Sequence, residues 1–345
     1  PDIPAHLRAL QAQTSPAAVL ITHGHSDHVA ALAALPPDVP VHAADPRIAR
    51  GTEPISDDRR LRVAGIAVHA IPTPGHTADS VSFVVASGKD ELVATGDALL
   101  GGRRSAIVSR HSGSIGAQLS SLATLSRLAG RAGLPGHGDR ITDVAAAAAA
   151  ELSHRRRRLD ELAALIEAYP AAGVDELTRR RHRRPPASWE AAWWMTEAES
   201  AYLRGEPAPR LELVPRGRFW DTLVDAVVRG VKTATSRLAV LEDLDGVRPE
   251  PAGTLLRLVD SSGGTAAIVE ITRVQDLALG EVDDDIAQAE GDWFADVAQW
   301  RDAHERYWSR SVDEIRRRTG RPEWELNDES RVVVRRFVVV QPSLC

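Results

Sequence analysis

Three histidines and an aspartate stand within the six residues HGHSDH at 23–28, directly after the apolar, β-favouring run AAVLIT at 17–22. In an extended segment, residues two apart point the same way, so His23 and His25 at the end of this strand can aim both imidazoles at one point. Asp27 and His28 then begin a helix and point elsewhere. A loop of this kind supplies two pairs of ligands, one for each of two neighbouring ions.

Three further candidate ligands also follow apolar strands. His76 lies in IPTPGHTADS, Asp97 in LVATGDALL and His137 in GLPGHGD. Each sits in a turn that contains glycine, as do residues carried at the mouth of a sheet. The one cysteine, Cys345, cannot form an intrachain disulfide or a thiolate cluster, so any metal must be held by imidazole and carboxylate.

These motifs, HxHxDH, PGHT, a strand-terminal GD and PGHG in that order, resemble those of the metallo-β-lactamase superfamily, whose α+β fold is an αββα sandwich with the metals at one sheet edge. The resemblance implies two metal ions. The first would be held by His23, His25 and His76, and the second by Asp27, His28 and His137. Asp97 would bridge both. Such a ligand set suits Zn²⁺, and an oxygen-rich second site also tolerates Mn²⁺ or Fe. The implied reaction is hydrolysis by a metal-bound hydroxide, which Asp27 would help to orient.

Within the superfamily, the chain most resembles the β-lactamase-like protein 2 hydrolases, which follow PGHG with a small helical, winged-helix-like extension. Some members of that group cut single-stranded RNA. The common zinc β-lactamases usually place a cysteine where this chain has Asp97, which disfavours antibiotic hydrolysis. Members also carry several strands before the helix that precedes HxHxDH. Here the residues PDIPAHLRALQAQ at 1–13 predict that helix, so we expect the N-terminal strands of the domain to be missing.

The chain divides by pattern into four parts. Strands and helices alternate up to about residue 140, and residues 143–203 then read as three helices. A stretch rich in proline and glycine follows, and beyond it strands dominate again. The predicted parts are a metallo-β-lactamase-like domain at 1–145, a helical extension at 146–205, a linker at 206–213 and a largely β domain at 214–345.

The last part resembles the ASCH domain, a PUA-like β-barrel linked to RNA binding and found in small amidohydrolases. The matching segments are GVKTATSRL at 230–238, TAAIVEITRV at 265–274 and the stretch that begins AEGDW at 289. By that resemblance Lys232 would be the activating base, Thr235 the nucleophile and Glu290 the carboxylate that handles the proton. Glu270 is a second candidate carboxylate for the same cavity.

A different role for this domain is recognition without chemistry. Trp293, Trp300 and Trp308 then offer stacking faces for bases, although tryptophans at helical spacing also suit a buried core.

Charge and hydropathy narrow the class of protein. The formal net charge of -6 argues against a generally basic nucleic-acid binder, and we interpret the arginine clusters at 154–159 and 179–184 as solvated helix faces, with phosphate attraction as the alternative. No apolar run approaches the roughly 20 residues of a membrane span, so we expect a cytoplasmic protein.

Three functions remain open from the sequence. The first is a dinuclear hydrolase that cuts RNA or another phosphodiester with help from the ASCH domain. The second is a glyoxalase-II-like thioesterase or small-ester hydrolase. The third is an RNA-binding protein whose metal domain is inert.

Overall fold

The chain forms two compact units. The computed structural model describes residues 16–87, 90–102, 106–109, 112–182, 185–206, 210–211, 213, 219–245, 247 and 249–342. The first unit comprises Pro1–Pro170 and Leu177–Arg204, and the second comprises Ala171–Glu176 and Gly205–Cys345. The predicted helix at 1–13 and most of the predicted linker lie outside the described residues. The boundary near residue 145 stays a prediction, because both of its sides belong to the first unit.

The first unit contains a five-stranded sheet and a two-stranded sheet. The large sheet is antiparallel except for its last strand, which runs parallel to its neighbour. Its strands, in spatial order, are β3 (Arg59–Val63), β4 (Ile66–Pro72), β5 (Val81–Ser87), β6 (Asp90–Gly96) and β7 (Ala132–Pro135). The small sheet pairs β1 (Val19–Leu20) with β2 (Val41–His42) in parallel.

Alternation along β5 separates two cores. Phe83 packs on one side of the large sheet with Leu20 of β1, whereas Val84 packs on the other side with Leu122 and Val144 from helices. Because side chains alternate along a strand, the large sheet has the small sheet on one face and helices on the other. This layering is the arrangement expected of an αββα sandwich.

The helices of the first unit follow the predicted pattern closely. They are α1 (Ser26–Val29), continued by a 3₁₀ turn (Ala30–Ala34), then α2 (Ile115–Leu125), α3 (Val144–Ala168), α4 (Val174–Arg181), of which residues 177–181 belong to this unit, and α5 (Trp189–Leu203). Asp143 and Ser188 accept hydrogen bonds from the first turns of α3 and α5 and so fix where these two helices begin.

The two arginine clusters are only partly solvated, so the interpretation of both as solvated faces was wrong for their inward residues. The side chains of Arg155 and Arg181 are buried, whereas Arg156, Arg157 and Arg180 are exposed. The buried guanidiniums have internal partners, namely Glu151 for Arg155 and Glu199 for Arg181.

The second unit is built on a four-stranded antiparallel sheet. Its strands, in spatial order, are β8 (Ala234–Leu238), β11 (Arg331–Pro342), β10 (Thr265–Ala278) and β9 (Leu255–Val259). Register shifts in β10 near Ile268 and Ile271 bend the pair of long central strands. The helices are α6 (Trp220–Val228), α7 (Ala239–Leu244), α8 (Asp284–Ala289), α9 (Val297–Trp308) and α10 (Val312–Thr319), with 3₁₀ turns at Leu279–Glu281 and Ser309–Ser311.

Two separate helices, α8 and α9, lie between residues 284 and 308. Gly291 adopts a φ of 139°, which favours glycine, and Asp296 then caps a new helix by accepting from the backbone N–H of Gln299. Because α8 ends at Ala289, Glu290 lies at a helix end facing the core rather than on a helix face.

Two of the three predicted stacking tryptophans belong to the core. Trp300 and Trp308 are buried with Leu238, Ile315 and Val332 between the helices and the sheet. Trp293 is 40% exposed and is the one of the three that a ligand can reach. Among the described residues, no helix combines the length and the apolarity that crossing a bilayer requires.

Candidate metal centre

Four strand ends of the first unit converge on one place. His23 and His25 follow β1, His76 follows β4, Asp97 directly follows β6, and His137 follows β7. Helix α1 begins at Ser26 and carries Asp27 and His28 on its first turn. The short strand β1 thus directs the first two imidazoles, and the start of α1 turns the next two ligands away from them.

One group of imidazole nitrogens comes from His23, His25 and His76. His25 Nδ1 lies 3.1 Å from His23 Nε2 and 2.9 Å from His76 Nε2. The three donor atoms lie within 4.8 Å of one another, which is close enough for all three to bind one ion. This group is the one that the family resemblance implied for the first ion.

A second group comes from Asp27, His28 and His137. Asp27 Oδ2 lies 3.1 Å from His137 Nε2 and 3.7 Å from His28 Nε2. These three donor atoms also lie within 4.8 Å of one another. This group is the one that the resemblance implied for the second ion.

Asp97 stands between the two groups. Its Oδ2 lies 3.7 Å from His76 Nε2 and 3.5 Å from His137 Nε2, and its Oδ1 lies 3.5 Å from His28 Nε2. Its carboxylate therefore faces members of both predicted ligand sets. His23, His28 and Asp97 form a third group of donor atoms, which the sequence did not suggest, so the division of ligands between two ions stays a prediction.

Two buried polar atoms fit an ion at this place. Within the described residues, His28 Nε2 and Asp97 Oδ1 are shielded from solvent and have no hydrogen-bond partner. A buried polar atom without a partner costs about 1–3 kcal/mol, so such atoms are usually satisfied by a ligand or an ion. Imidazole nitrogen and carboxylate oxygen are donors that Zn²⁺, Fe and Mn²⁺ accept.

Burial shifts the pKa values of these side chains, and for the histidines the shift favours metal binding. Desolvation lowers the pKa values of His23, His28 and His76, which keeps the imidazoles neutral with a lone pair available to a metal. Desolvation also raises the pKa of Asp97, although His76 and His137 act in the opposite direction. A divalent cation beside Asp97 would offset the cost of burying its charge.

Residues outside the motifs hold the ligands in place. The Ile107 carbonyl oxygen lies 2.5 Å from His76 Nδ1, and the Ser109 N–H donates to the His76 carbonyl at 2.8 Å. The carbonyl fixes Nδ1 as the donor and leaves Nε2 for an ion. No motif marks residues 106–109, so sequence reasoning missed them.

Gly136, directly before His137, brings backbone against the centre. A Cβ at this position would overlap the Asp97 carboxylate and the His28 ring. This position of the PGHG motif requires glycine, because the backbone lies too close to Asp97 and His28 for a side chain. In the sequence, only the motif itself indicated that this glycine matters.

In the second unit, two of the predicted ASCH residues form a buried ion pair. Lys232 Nζ donates to Glu290 Oε2 at 2.9 Å, and Trp300 Nε1 donates to Glu290 Oε1 at 3.0 Å. Burial would raise the pKa of Glu290, but Lys232 and His304 outweigh burial and lower it. Glu290 is thus held as a carboxylate. Lys232 follows Gly230, which lies directly after the C-cap residue Arg229 of α6 and adopts a φ of 72°, a conformation that favours glycine.

The other two predicted ASCH residues are not joined to this pair. Thr235 is buried on β8 opposite Arg335, and among the described residues no hydrogen bond connects its hydroxyl to Lys232 or Glu290. Glu270 lies on β10 between Leu255 and Val338. The catalytic roles assigned to these residues stay predictions.

Comparison with known proteins supports both halves of the predicted architecture. Residues 215–341 match the model of the ASCH domain family. The chain is 33% identical over 147 residues to an atrochrysone carboxyl ACP thioesterase of Aspergillus fumigatus, covering 42% of this chain and 33% of the relative. It is 31% identical over 158 residues to the lactamase-like protein aptB of Emericella nidulans, covering 45% of this chain and 49% of the relative. The chain thus spans less than half the length of these two curated relatives.

Two solved structures are similar to parts of the chain. An ASCH domain from Lactobacillus crispatus is 24% identical with a TM-score of 0.33, covering 38% of this chain and 78% of that chain. A metallo-β-lactamase family protein from Thermus thermophilus is 27% identical with a TM-score of 0.36, covering 46% of this chain and 51% of that chain. With the family match and the curated relatives, the predicted combination of a lactamase-like part and a C-terminal ASCH domain is confirmed.

Proposed function

We propose that the first unit is a metal-dependent hydrolase that cleaves an ester or thioester bond with two divalent ions, Zn²⁺ being the first choice. The observation that carries the proposal is the position of Asp97, whose two carboxylate oxygens face ligands of both groups while Oδ1 lacks a hydrogen-bond partner. One carboxylate between two clusters of imidazole is suited to hold a pair of ions close together.

Bound ions would lower the pKa of a water and polarise the scissile carbonyl oxygen. The exposed fractions of the side chains indicate which of them the substrate can reach. Asp27 and His137 are 41% and 45% exposed, whereas Asp97 is 11% exposed. The substrate therefore approaches over Asp27 and His137, and the buried residues form the rear wall. Asp27, at the exposed side of the centre, would bind metal and help to orient the attacking water.

The choice of a thioester rests on the relatives. A thioesterase and a lactamase-like protein are both relatives of this chain, and each matches less than half of its residues. Both kinds of reaction begin with attack of water on an acyl carbon, which needs the same placed base and the same stabilised oxygen. Asp97 in place of a cysteine separates this chain from the common zinc β-lactamases, so we place acyl thioesters ahead of antibiotics.

A second candidate is cleavage of RNA or another phosphodiester. The ASCH match at 215–341 favours it, because a nucleotide-binding unit on the same chain would hold such a substrate. The exposed Trp293 supplies a face for base stacking. Amide hydrolysis at Lys232 and Glu290 remains a separate proposal for the second unit.

The test compares substrates on the full chain reconstituted with Zn²⁺. Acyl thioesters of N-acetylcysteamine and single-stranded oligonucleotides are offered to the wild type and to His76→Ala and Asp97→Ala variants. His69→Ala is the matched control, because His69 pairs with Asp58 away from the centre. We expect thioester cleavage that falls at least 100-fold in the two site variants and stays unchanged in the control.

Two other outcomes would overturn the proposal. Faster cleavage of oligonucleotides than of thioesters, lost in the same variants, would establish the second candidate. No hydrolysis, together with RNA binding that survives removal of metal and falls with Lys232→Ala, would mean that the second unit is the working part.

A further inference from the structure

A cavity of about 200 Å³ lies within the first unit, apart from the candidate metal ligands. Its walls come from residues 106–107, from α3, from residues 182 and 186–188, and from α5. The lining residues that matter most are Ile107, His154, Arg158, His182, Ala191 and Met195.

The cavity shares one loop with the metal centre. Ile107 lines the cavity, and its carbonyl oxygen also contacts His76 Nδ1. Two residues later, Ser109 donates its backbone N–H to the carbonyl of His76. A group bound in the cavity would therefore lie across a single loop from a predicted metal ligand.

His182 presents an unsatisfied nitrogen in the cavity wall. Its Nε2 is buried and has no hydrogen-bond partner among the described residues. Burial lowers the pKa of His182, and the neighbouring Arg158 and Arg181 lower it further. The imidazole is thus neutral, and it can donate one hydrogen bond to an acceptor.

The guanidinium of Arg158 adds positive charge beside His182. Arg158 Nε lies 3.7 Å from Glu199 Oε1, but the other oxygen of Glu199 is bound by Arg181. Two guanidiniums thus share one carboxylate. Arg155, which also lines the cavity, is already bound to Glu151 and to the Ala106 carbonyl. Of the arginines that line the cavity, Arg158 is the one whose guanidinium has only a long contact of 3.7 Å to an acid among the ion pairs of the described residues.

The rest of the wall is mainly apolar. Ala191, Ala192, Met195 and Pro186 are part of it. Apolar walls with a small number of placed polar groups are typical of sites for small molecules. The volume suits a short chain with a polar end rather than a nucleotide.

We propose that this cavity binds the acyl end of the substrate, and that Arg158 and His182 bind an anionic group, carboxylate or phosphate, at that end. The inference rests on the proposed hydrolysis of a thioester and names the kind of acyl group that is cleaved. Arg158 supplies the charge, His182 supplies a hydrogen bond, and the alanines of α5 leave room for the chain.

The kinetic test uses two thioesters with the same number of acyl carbons. Glutaryl and pentanoyl N-acetylcysteamine differ in the terminal carboxylate, and the wild-type full chain with Zn²⁺ should show at least tenfold higher kcat/KM for the glutaryl ester. Arg158→Met and His182→Ala should reduce that preference below threefold by raising the KM for the glutaryl ester. Their kcat/KM for the pentanoyl ester should stay within twofold of wild type.

Matched variants separate binding from general damage. Arg157→Met changes the exposed neighbour of Arg158 on α3 and should leave the preference intact. Ala191→Leu fills the cavity and should raise the KM of both esters at least fivefold, whereas Ala150→Leu, at an exposed position of α3, should not. Equal losses for both esters in Arg158→Met and His182→Ala would mean that these side chains only support the fold, and would overturn the proposal.

A binding test uses the metal-free chain, so it does not depend on hydrolysis. Glutarate and propyl phosphate are titrated by calorimetry into the wild type and Arg158→Met. Binding of glutarate that weakens at least tenfold in the variant identifies a carboxylate as the natural group, and the same result for propyl phosphate alone identifies a phosphate. Binding of neither ligand would overturn the proposal.

The two tests keep the proposals apart. Anion binding that depends on Arg158 without hydrolysis of either ester would refute the thioesterase and leave the cavity as an anion site. Hydrolysis without preference, and without an effect of Arg158→Met, would refute the cavity site and leave the thioesterase.

Discussion

Replacing Gly136 with alanine should weaken metal binding far more than it destabilises the metal-free chain. The Cβ of the new residue would overlap the Asp97 carboxylate and the His28 ring, which are both expected ligands. Gly136 does not adopt a positive φ, so alanine brings no backbone strain of its own. The effect of the change is therefore steric, and it falls on two side chains that an ion needs in place.

The size of the loss in Zn²⁺ affinity depends on whether the metal-free or the metal-bound chain can adjust to the new methyl group. Forcing extra volume into a packed site costs about 1–3 kcal/mol. In the metal-free chain, Asp97 Oδ1 and His28 Nε2 have no hydrogen-bond partner to lose, so either side chain can turn aside cheaply. With an ion bound, neither can move without loss of a ligand. If the whole cost falls on the bound state, affinity drops by about 5- to 150-fold.

The assay is competition for Zn²⁺ with a chromophoric chelator, combined with urea unfolding of the metal-free protein. Gly116→Ala is the control, because Gly116 lies inside α2 with only the Tyr202 ring near its Cβ, at 3.2 Å, and alanine favours a helix. We expect Gly136→Ala to lose affinity with little change in the free energy of unfolding. Unchanged Zn²⁺ affinity in this variant would refute the placement of Asp97 and His28 around an ion.

Three further changes test the site and the second unit. Asp97→Asn removes a charge at nearly constant side-chain shape and should weaken Zn²⁺ binding by more than about 100-fold. Changes to residues that only support metal ligands already lower metal affinity by about 10- to 100-fold. Calorimetry measures the affinity, and an unaltered circular dichroism spectrum shows that the fold is intact. Arg335→Met leaves the buried Glu242 without its bidentate partner and should cost about 3–5 kcal/mol in urea unfolding, most of it recovered when Glu242→Leu is added. Glu290→Gln removes the carboxylate that Lys232 pairs with. Because the pKa of Glu290 is lowered in the fold, its contribution is present above pH 4.5 and lost as the pH falls, so the stability difference from wild type should be largest near pH 7 and shrink in acid.

The sequence predicted the long central strands well and the short strands poorly. Strands β4 and β5 coincide with the segments IAVHAIP and VSFVVAS, because short segments rich in β-branched residues between turns leave few alternatives. Strand β3, with sequence RRLRV, was missed because it carries three arginines at the edge of the sheet. Strand β2 has only two residues, and its pairing with β1 is a tertiary contact that no local pattern reports.

That the candidate ligands lie close together was predictable, because they lie in turns after strands. Each motif combines a ligand with glycine or proline, and turns of this kind have few conformations that suit them. The support from residues 106–109 was not predictable in the same way. A backbone carbonyl, such as that of Ile107, can hold a histidine from any residue type, so the sequence carries no signal for it.

The arginine clusters show where composition fails as a guide. A run of arginines on a helix presents some side chains to solvent and some inward, and the inward ones are stable only if acids from other elements meet them. Glu199 on α5 meets Arg181 at the end of α4, eighteen residues earlier, and it also attracts Arg158 from α3. That triangle needs three helices to pack correctly, so it cannot be read from any one of them. The same packing buries His182 beside the cavity, so a segment that looked like a solvated face supplies the polar groups of the proposed acyl site.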